Sequence, residues 1–424
     1  MTGEAGSGKS AIAYTVARHF DGLDEGTVIL GAHFFCSRQF EETRQKKYII
    51  PTILDQLACE SQLYANALLK ANKFDSVNTT SKQMKDLLVD PWMQSVGRHH
   101  SEFPPFLVVV DALDEIEDGG GSAFLEELLR MTDKSNLQGL KFLITSRPDA
   151  DISRLCSSFV SDAICALYDV PTDTVRADIA TYLQAKLPLL RGMPEINNLM
   201  HQADGLFTFA AAAVKYITPR RNMTKREQIQ LLGKLGIHAR GSTVSQSTDV
   251  SSIDALYKQV MATVFGGLSE NVLQDRLYIL HTILCTQERV PTFVAWDLYS
   301  SNPDMAEHFD LVVDELHAVI YVKGDRVLSY HSSFPDFIFS QARSGSVLID
   351  TRIVDLHCDK AAHQAMLKSA NVVKLDILSV LDVLATVESV SDSIRPLREA
   401  SLGLLDVMTT SQTDRLVRRV FFLC

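Results

Sequence analysis

Eight consecutive residues, Gly3-Glu4-Ala5-Gly6-Ser7-Gly8-Lys9-Ser10, satisfy the pattern G-x-x-x-x-G-K-[ST] without a mismatch, and together they could cradle a polyphosphate. Gly3, Gly6 and Gly8 let the backbone turn tightly and approach an anion, so that successive N–H groups and the start of the next helix face it. Lys9 would reach the β- and γ-phosphates, and Ser10 has the hydroxyl that a bound Mg²⁺ needs. A second constellation supplies carboxylates. The run Phe106-Leu107-Val108-Val109-Val110 ends in Asp111, and Asp114 and Glu115 follow at once. Asp111 is expected to hold Mg²⁺ through water, and Asp114 or Glu115 to orient or deprotonate a water that attacks the γ-phosphate. Asp111 alone would be an ordinary strand-end carboxylate; the D-x-x-D-E cluster beside a phosphate loop favours the metal role. Arg147, in Thr145-Ser146-Arg147-Pro148, could read the terminal phosphate with its planar fork or could simply cap a surface loop. His331 stands in H-S-S-F-P-D-F with Asp336 five residues on, and a lone histidine is ordinarily a satisfied core or surface residue.

Elements of particular kinds must position these groups. An α/β fold is predicted, with a parallel sheet flanked by helices. Phe106–Asp111 and Leu140–Ile144 read as buried strands that place their polar ends where ligands bind, and Thr27–Leu30, Ala32–Cys36 and Ala163–Val170 are further strand candidates. Ile12, Val16 and Phe20, with Ala13 and Ala17, recur at helical spacing and should pack the first helix on the sheet. The strand that ought to precede a phosphate loop is missing, because only Met1 and Thr2 come before Gly3; either the chain is a fragment or another segment fills that slot. Gly119-Gly120-Gly121 reads as a flexible loop. Asn72-Lys73-Phe74-Asp75 matches the guanine-reading N-K-x-D pattern, but it precedes the second acidic strand and is set aside.

The predicted organisation is a nucleotide-binding domain over 1–171, a helical domain over 172–240, a Ser/Thr-rich linker over 241–252, a second unit over 253–342 and a helical tail over 343–424. In the second unit, helical patterns that include Thr292–Leu298 lead into a hairpin, Ala318–Val322 and Arg326–Tyr330, which together describe a winged helix. No repeat is visible, and the tail carries no readable function. With 424 residues, 46% hydrophobic and 22% charged, the chain has an ordinary globular composition. No apolar run is long enough for a bilayer, which predicts a cytoplasmic protein without a membrane partner. The seven cysteines are scattered singly, which suits reduced thiols. A net charge of −11 opposes a mainly nucleic-acid-binding role, and the basic stretch Lys215–Arg240 reads as a solvated helix face.

Taken in order, G-E-A-G-S-G-K-S, H-F-F-C-S-R, V-V-V-D-A-L-D-E, L-I-T-S-R-P, G-L-F-T-F-A-A-A-A-V and Y-H-S-S-F-P-D-F resemble the NACHT domains of the signal-transduction (STAND) NTPases, especially the nephrocystin-like type abundant in fungi. The resemblance spans Gly3 to Phe339. It implies an ATPase domain, a helical domain and a winged helix that close over ADP in a resting monomer and open on exchange for ATP to drive oligomerisation. Position by position, it implies Lys9 and Ser10 as phosphate and Mg²⁺ ligands, Asp111 as the metal acid, Asp114 and Glu115 as hydrolytic acids and Arg147 as the sensor. It also implies that His331 latches the diphosphate in the closed state and that Gly205-Leu206-Phe207 lies near the adenine. The expected function is an ATP/ADP switch whose output is self-assembly in signalling of the innate-immunity or cell-death kind, acting on a protein partner not identifiable from sequence. Hydrolysis would be slow and would reset the switch. The alternatives are an ATP-dependent DNA-loading protein and a truncated NACHT fragment that binds nothing.

Overall fold

Val108, Val109 and Val110 are all fully buried, which a strand achieves only when both faces of its sheet are covered. In the computed structural model, this strand is the middle of a three-stranded parallel sheet formed by β1 (Ile29–Phe35), β2 (Phe106–Asp111) and β3 (Leu140–Ile144), in that spatial order. The structure describes residues 1–21, 28–71, 79–96, 103–135, 137–156, 164–219, 223–235, 252–285, 303–324 and 326–345. The Asn72–Asp75 match, the linker before Ser252, the Thr292–Leu298 pattern and the tail beyond residue 345 lie outside them. All described residues belong to one unit, residues 1–351.

One face of the sheet is covered by α1 (Lys9–Phe20) through Ala13, Ala17 and Val109, with Leu30, Phe35, Leu107 and Leu143 around them. Lys9, Ala13 and Ala17 form the buried i, i+4 stripe, whereas Ile12 is 40% exposed. Of the residues expected to pack this helix on the sheet, Ala13 and Ala17 do so fully, Val16 and Phe20 are part-buried and Ile12 is not, because alanines let the backbone lie close to the strands. The other face is covered by a larger core that includes α2 (Ile49–Glu60), α3 (Gln62–Ala71) and α4 (Gly120–Ser135). β1 is one strand rather than two, with its register shifting between Leu30 and Ala32. At that break, a side chain on Gly31 would meet Leu57 at 2.7 Å.

The glycine triplet divides: Gly119, with left-handed backbone (φ 66°), ends a 3₁₀ turn, Glu117–Gly119, and Gly120 and Gly121 start α4. A Cβ on Gly121 would lie 2.1 Å from the Leu113 carbonyl, so glycine is what lets α4 pack against the turn carrying Asp114 and Glu115. Beyond β3, Thr2 makes parallel bridges to both Ser146 and Ala166. The Met1 amino group donates to the Ile144 carbonyl at 2.7 Å, Thr2 N–H to Cys165 at 2.8 Å and Leu167 N–H to Thr2 at 2.8 Å. Met1 and Thr2 thus carry sheet pairing into the slot immediately ahead of the glycine-rich loop. The expected strand over Ala163–Val170 reduces, among the described residues, to the Ala166 bridge and a 3₁₀ turn, Leu167–Asp169.

The rest is helical: α5 (Thr172–Lys186), α6 (Pro194–Ala203), α7 (Phe207–Ile217), α8 (Lys225–Lys234), α9 (Ser252–Phe265), α10 (Glu270–Cys285) and α11 (Pro303–Glu315). An antiparallel hairpin of β4 (Ile320–Lys323) and β5 (Arg326–Ser329) follows, then α12 (Ser333–Ile338). These elements share one continuous core, from Ile179 to Ile338. No helix among the described residues is long and apolar enough to cross a membrane.

Candidate functional site

The glycine-rich loop runs from the Thr2 bridge into α1. Gly6 (φ 84°) and Gly8 (φ 96°) are both left-handed, a conformation that costs any residue with a Cβ about 1–2 kcal/mol. Gly8 is the N-cap of α1 and no side chain caps this end, so the N–H groups of the first turn are left to another acceptor. The loop is held from above by α7. Thr208 N–H donates to the Gly6 carbonyl at 3.3 Å, a Cβ on Gly6 would meet the Thr208 hydroxyl at 2.6 Å, and Phe207 packs over Gly8. Lys9 is 8% exposed, and its ammonium donates to the Gly3 and Glu4 carbonyls, each at 2.7 Å. Burial pushes its pKa down, while Asp114, Asp111 and Glu115 act against that shift. The donor set fits a polyphosphate: positive-φ glycines, an uncapped helix start and a buried ammonium held by carbonyls rather than carboxylates.

Asp111 ends β2 almost wholly buried and accepts hydrogen bonds from the Thr145 and Ser10 hydroxyls. Burial raises its pKa, and those two bonds with the Lys9 charge oppose the rise. Thr145, 0% exposed, also accepts from Ala112 N–H at 2.9 Å, so one hydroxyl joins the ends of β2 and β3. Ala112 itself is left-handed (φ 54°), a strained turn that swings the 3₁₀ segment Leu113–Glu115 back over the sheet end. Glu115 accepts from Arg38 N–H at 3.2 Å and from the Ser332 hydroxyl, and burial raises its pKa.

Arg147 is the hub. Its Nε lies 3.1 Å from Asp114, its Nη1 2.9 Å from Asp336, and its Nη2 donates to the Ser332 hydroxyl at 2.6 Å. Burial works against its charge, yet the Asp336 and Asp114 carboxylates hold its pKa above the ordinary value. Arg38 reinforces the joint by donating to the Asp114 carbonyl at 3.2 Å and reaching Asp336 at 3.4 Å. Beside it, the Gln39 side chain receives Ser329 N–H at 2.9 Å and donates to the Ser329 carbonyl at 3.1 Å, so it acts as a short extra strand against β5. His331 is half-buried at the start of α12. Burial, followed by the Arg147 and Lys9 charges, depresses its pKa to about 4, so the ring is neutral.

The structure therefore brings the glycine loop, Lys9, Ser10, Asp111, Asp114, Glu115, Arg147 and His331 to one end of the sheet. Asp336 hydrogen-bonds to the arginines rather than to His331. A cleft of about 680 Å³ opens beside this cluster onto Arg38, Asp114, Glu115, Ser332 and Asp336, and neither Lys9 nor the glycine loop lines it. Sequence reasoning assigned no role to Thr145, Arg38, Ser332 or Thr208. Thr145 and Arg38 stand inside motifs already singled out, and Thr208 follows Phe207 directly, but nothing local says which atom each would meet.

A family model described as nephrocystin 3, N-terminal, matches residues 1–147. The match takes in the glycine-rich loop, Asp111, Asp114, Glu115 and Arg147, and it stops before the helical elements, the hairpin and His331. No curated protein matches the chain.

Proposed function

We propose that this chain is a cytoplasmic nucleotide-operated switch of the NACHT/STAND class, in which ATP and ADP favour different arrangements and the output is assembly with itself and with a protein partner. The observation that carries this reading is the commitment of Arg147 to Ser332 and Asp336, 185 and 189 residues away. An arginine placed at the end of β3, beside Asp114, is the group best suited to read a terminal phosphate, and here the element after the hairpin holds it. Arg147 cannot serve Asp336 and a phosphate oxygen with the same N–H groups. A triphosphate in the loop would therefore compete with Asp336 and loosen the region from α9 to α12, which we read as a winged-helix unit. A diphosphate would leave Arg147 in place and could accept a hydrogen bond from His331.

In this reading, Gly3, Gly6, Gly8 and Lys9 hold the phosphates, Ser10 and Asp111 hold Mg²⁺, and Phe207 borders the base. Bound Mg²⁺ would neutralise charge on the β- and γ-oxygens. Glu115 is the base, with Asp114 orienting Arg147. Because Arg38 N–H and Ser332 occupy the Glu115 carboxylate, hydrolysis is expected to be slow and to serve as a reset. The family match over residues 1–147 supports the NACHT-like part of this reading.

The test is the thermal midpoint with and without Mg-ADP and Mg-ATP, since a ligand that binds only the folded chain must raise it. A rise of several degrees that Lys9→Ala abolishes supports the assignment. No rise, or the same rise in Lys9→Ala, refutes it.

A further inference from the structure

We propose that Ser333 and Tyr257 are positioning residues that hold His331 as its Nε2–H tautomer, so that it presents a neutral N–H donor to a diphosphate in the glycine-rich loop. The inference rests on the nucleotide reading for its ligand but on geometry alone for its tautomer. The backbone N–H of Ser333 points at His331 Nδ1 at 3.1 Å, and an amide can only donate, so Nδ1 is an acceptor there. A neutral imidazole has one acceptor and one N–H, so the proton must sit on Nε2.

The Ser333 hydroxyl lies 2.8 Å from the same Nδ1 and therefore donates to it. That hydroxyl is 2.9 Å from the Tyr257 hydroxyl, which is left to donate to Ser333. The result is an ordered chain of neutral donors running from Tyr257 through Ser333 to His331. Ser333 is 3% exposed, and Tyr257 is wedged between Phe334 and Phe337 with ring centroids 5.3 and 5.4 Å away, so neither hydroxyl has a ready alternative. Burial keeps the Tyr257 phenol protonated, as this direction of donation requires.

His331 Nε2 makes no hydrogen bond among the described residues, nor is it sealed in as a buried orphan. It is an open donor on a ring that feels the charges of Lys9 and Arg147. A neutral donor suits this place, because a third cation beside those two would be repelled, whereas an Nε2–H adds a hydrogen bond to phosphate without adding charge.

The experiment is nuclear magnetic resonance of the full chain carrying nitrogen-labelled histidine, reading the ring-nitrogen shifts of His331 near neutral pH without nucleotide. It is run on wild type, Tyr257→Phe and Ser333→Ala, with the ADP affinity of each measured by calorimetry. The expected result is the Nε2–H form in wild type and a measurable Nδ1–H population in Ser333→Ala. ADP affinity should weaken about fivefold in Ser333→Ala, the loss of roughly one hydrogen bond's worth of alignment, and by less in Tyr257→Phe. A wild-type ring in the Nδ1–H form would overturn the tautomer assignment, and a Ser333→Ala ring unchanged in form would overturn the positioning role of the Ser333 hydroxyl, because the Ser333 backbone N–H that remains would then fix the ring alone. An Nε2–H ring in a chain that binds no ADP would refute the diphosphate ligand while leaving the positioning roles intact, so the two failures are distinguishable.

Discussion

Replacing Asp336 with asparagine should shift the preference of the chain between ADP and ATP by about tenfold. Asparagine keeps the size and packing of the side chain and removes its charge. The charge faces two arginines, but unequally. Arg147 lies 2.9 Å away with side-chain exposures of 26% and 29% for the pair, whereas Arg38 is half-exposed at 3.4 Å and contributes little. A partly screened, charge-assisted contact of this kind falls between an exposed pair and a buried charged hydrogen bond, about 1.5 kcal/mol, and 1.4 kcal/mol is about a factor of ten in an equilibrium. If the closed arrangement dominates, ATP affinity is reduced by the small fraction that is open, and raising that fraction tenfold raises ATP affinity equally. ADP affinity then barely changes, because the closed form remains the majority. Titration calorimetry of Mg-ATP and Mg-ADP against wild type and Asp336→Asn reads both numbers, and a cycle with Arg147→Gln isolates the pair. Equal changes for both nucleotides, or a coupling below about 0.3 kcal/mol, would refute the latch.

Other expectations concern the framework. Ala112→Gly should stabilise the chain by about 1 kcal/mol by relieving its left-handed backbone, read from urea midpoints; a loss of stability would mean that the alanine methyl is packed usefully. Thr145→Val keeps the shape but leaves the buried Asp111 carboxyl and Ala112 N–H each short of a partner, at a cost of about 2–3 kcal/mol, whereas Thr145→Ser should cost less than half of that. Acid sensitivity follows from His331, whose pKa falls to about 4 in the fold. Between about pH 6.5 and that value, the unfolded chain binds a proton that the folded chain does not. Stability therefore drops as pH falls through this window, by up to about 1.4 kcal/mol per unit. His331→Gln should flatten the wild-type slope by that amount between pH 6 and 4.5, and an unchanged slope would show that the ring takes up its proton in place.

Features whose chemistry is local were legible in the sequence. The tight glycine-rich turn could be read directly because closely spaced glycines permit left-handed backbone, and the structure gives Gly6 and Gly8 positive φ. The end of the second strand was legible because its apolar run stops at a carboxylate, and Asp111 is the last residue of β2, although the fold buries it. The hairpin was legible from a glycine turn between two short apolar runs. Periodicity marked Ala13 and Ala17 along with Ile12 for the inner face of α1 but could not rank them, and size decided: the two alanines are buried and Ile12 is exposed. Composition was only partly right at Gly119-Gly120-Gly121, where Gly119 lies in a turn but Gly120 and Gly121 serve a close approach at the start of a helix.

Only the tertiary structure decided what each functional group touches. Thr145 closes on Asp111 across 34 residues, Arg147 meets Asp336 across 189, and Arg38 meets Asp336 across 298. A hydrogen bond depends on distances near 3 Å and on angle, whereas sequence pattern records only whether a position faces inward or outward. Which inward-facing group meets which is set by how β3, the Arg38–Gln39 turn and the segment after the hairpin come together around one sheet end.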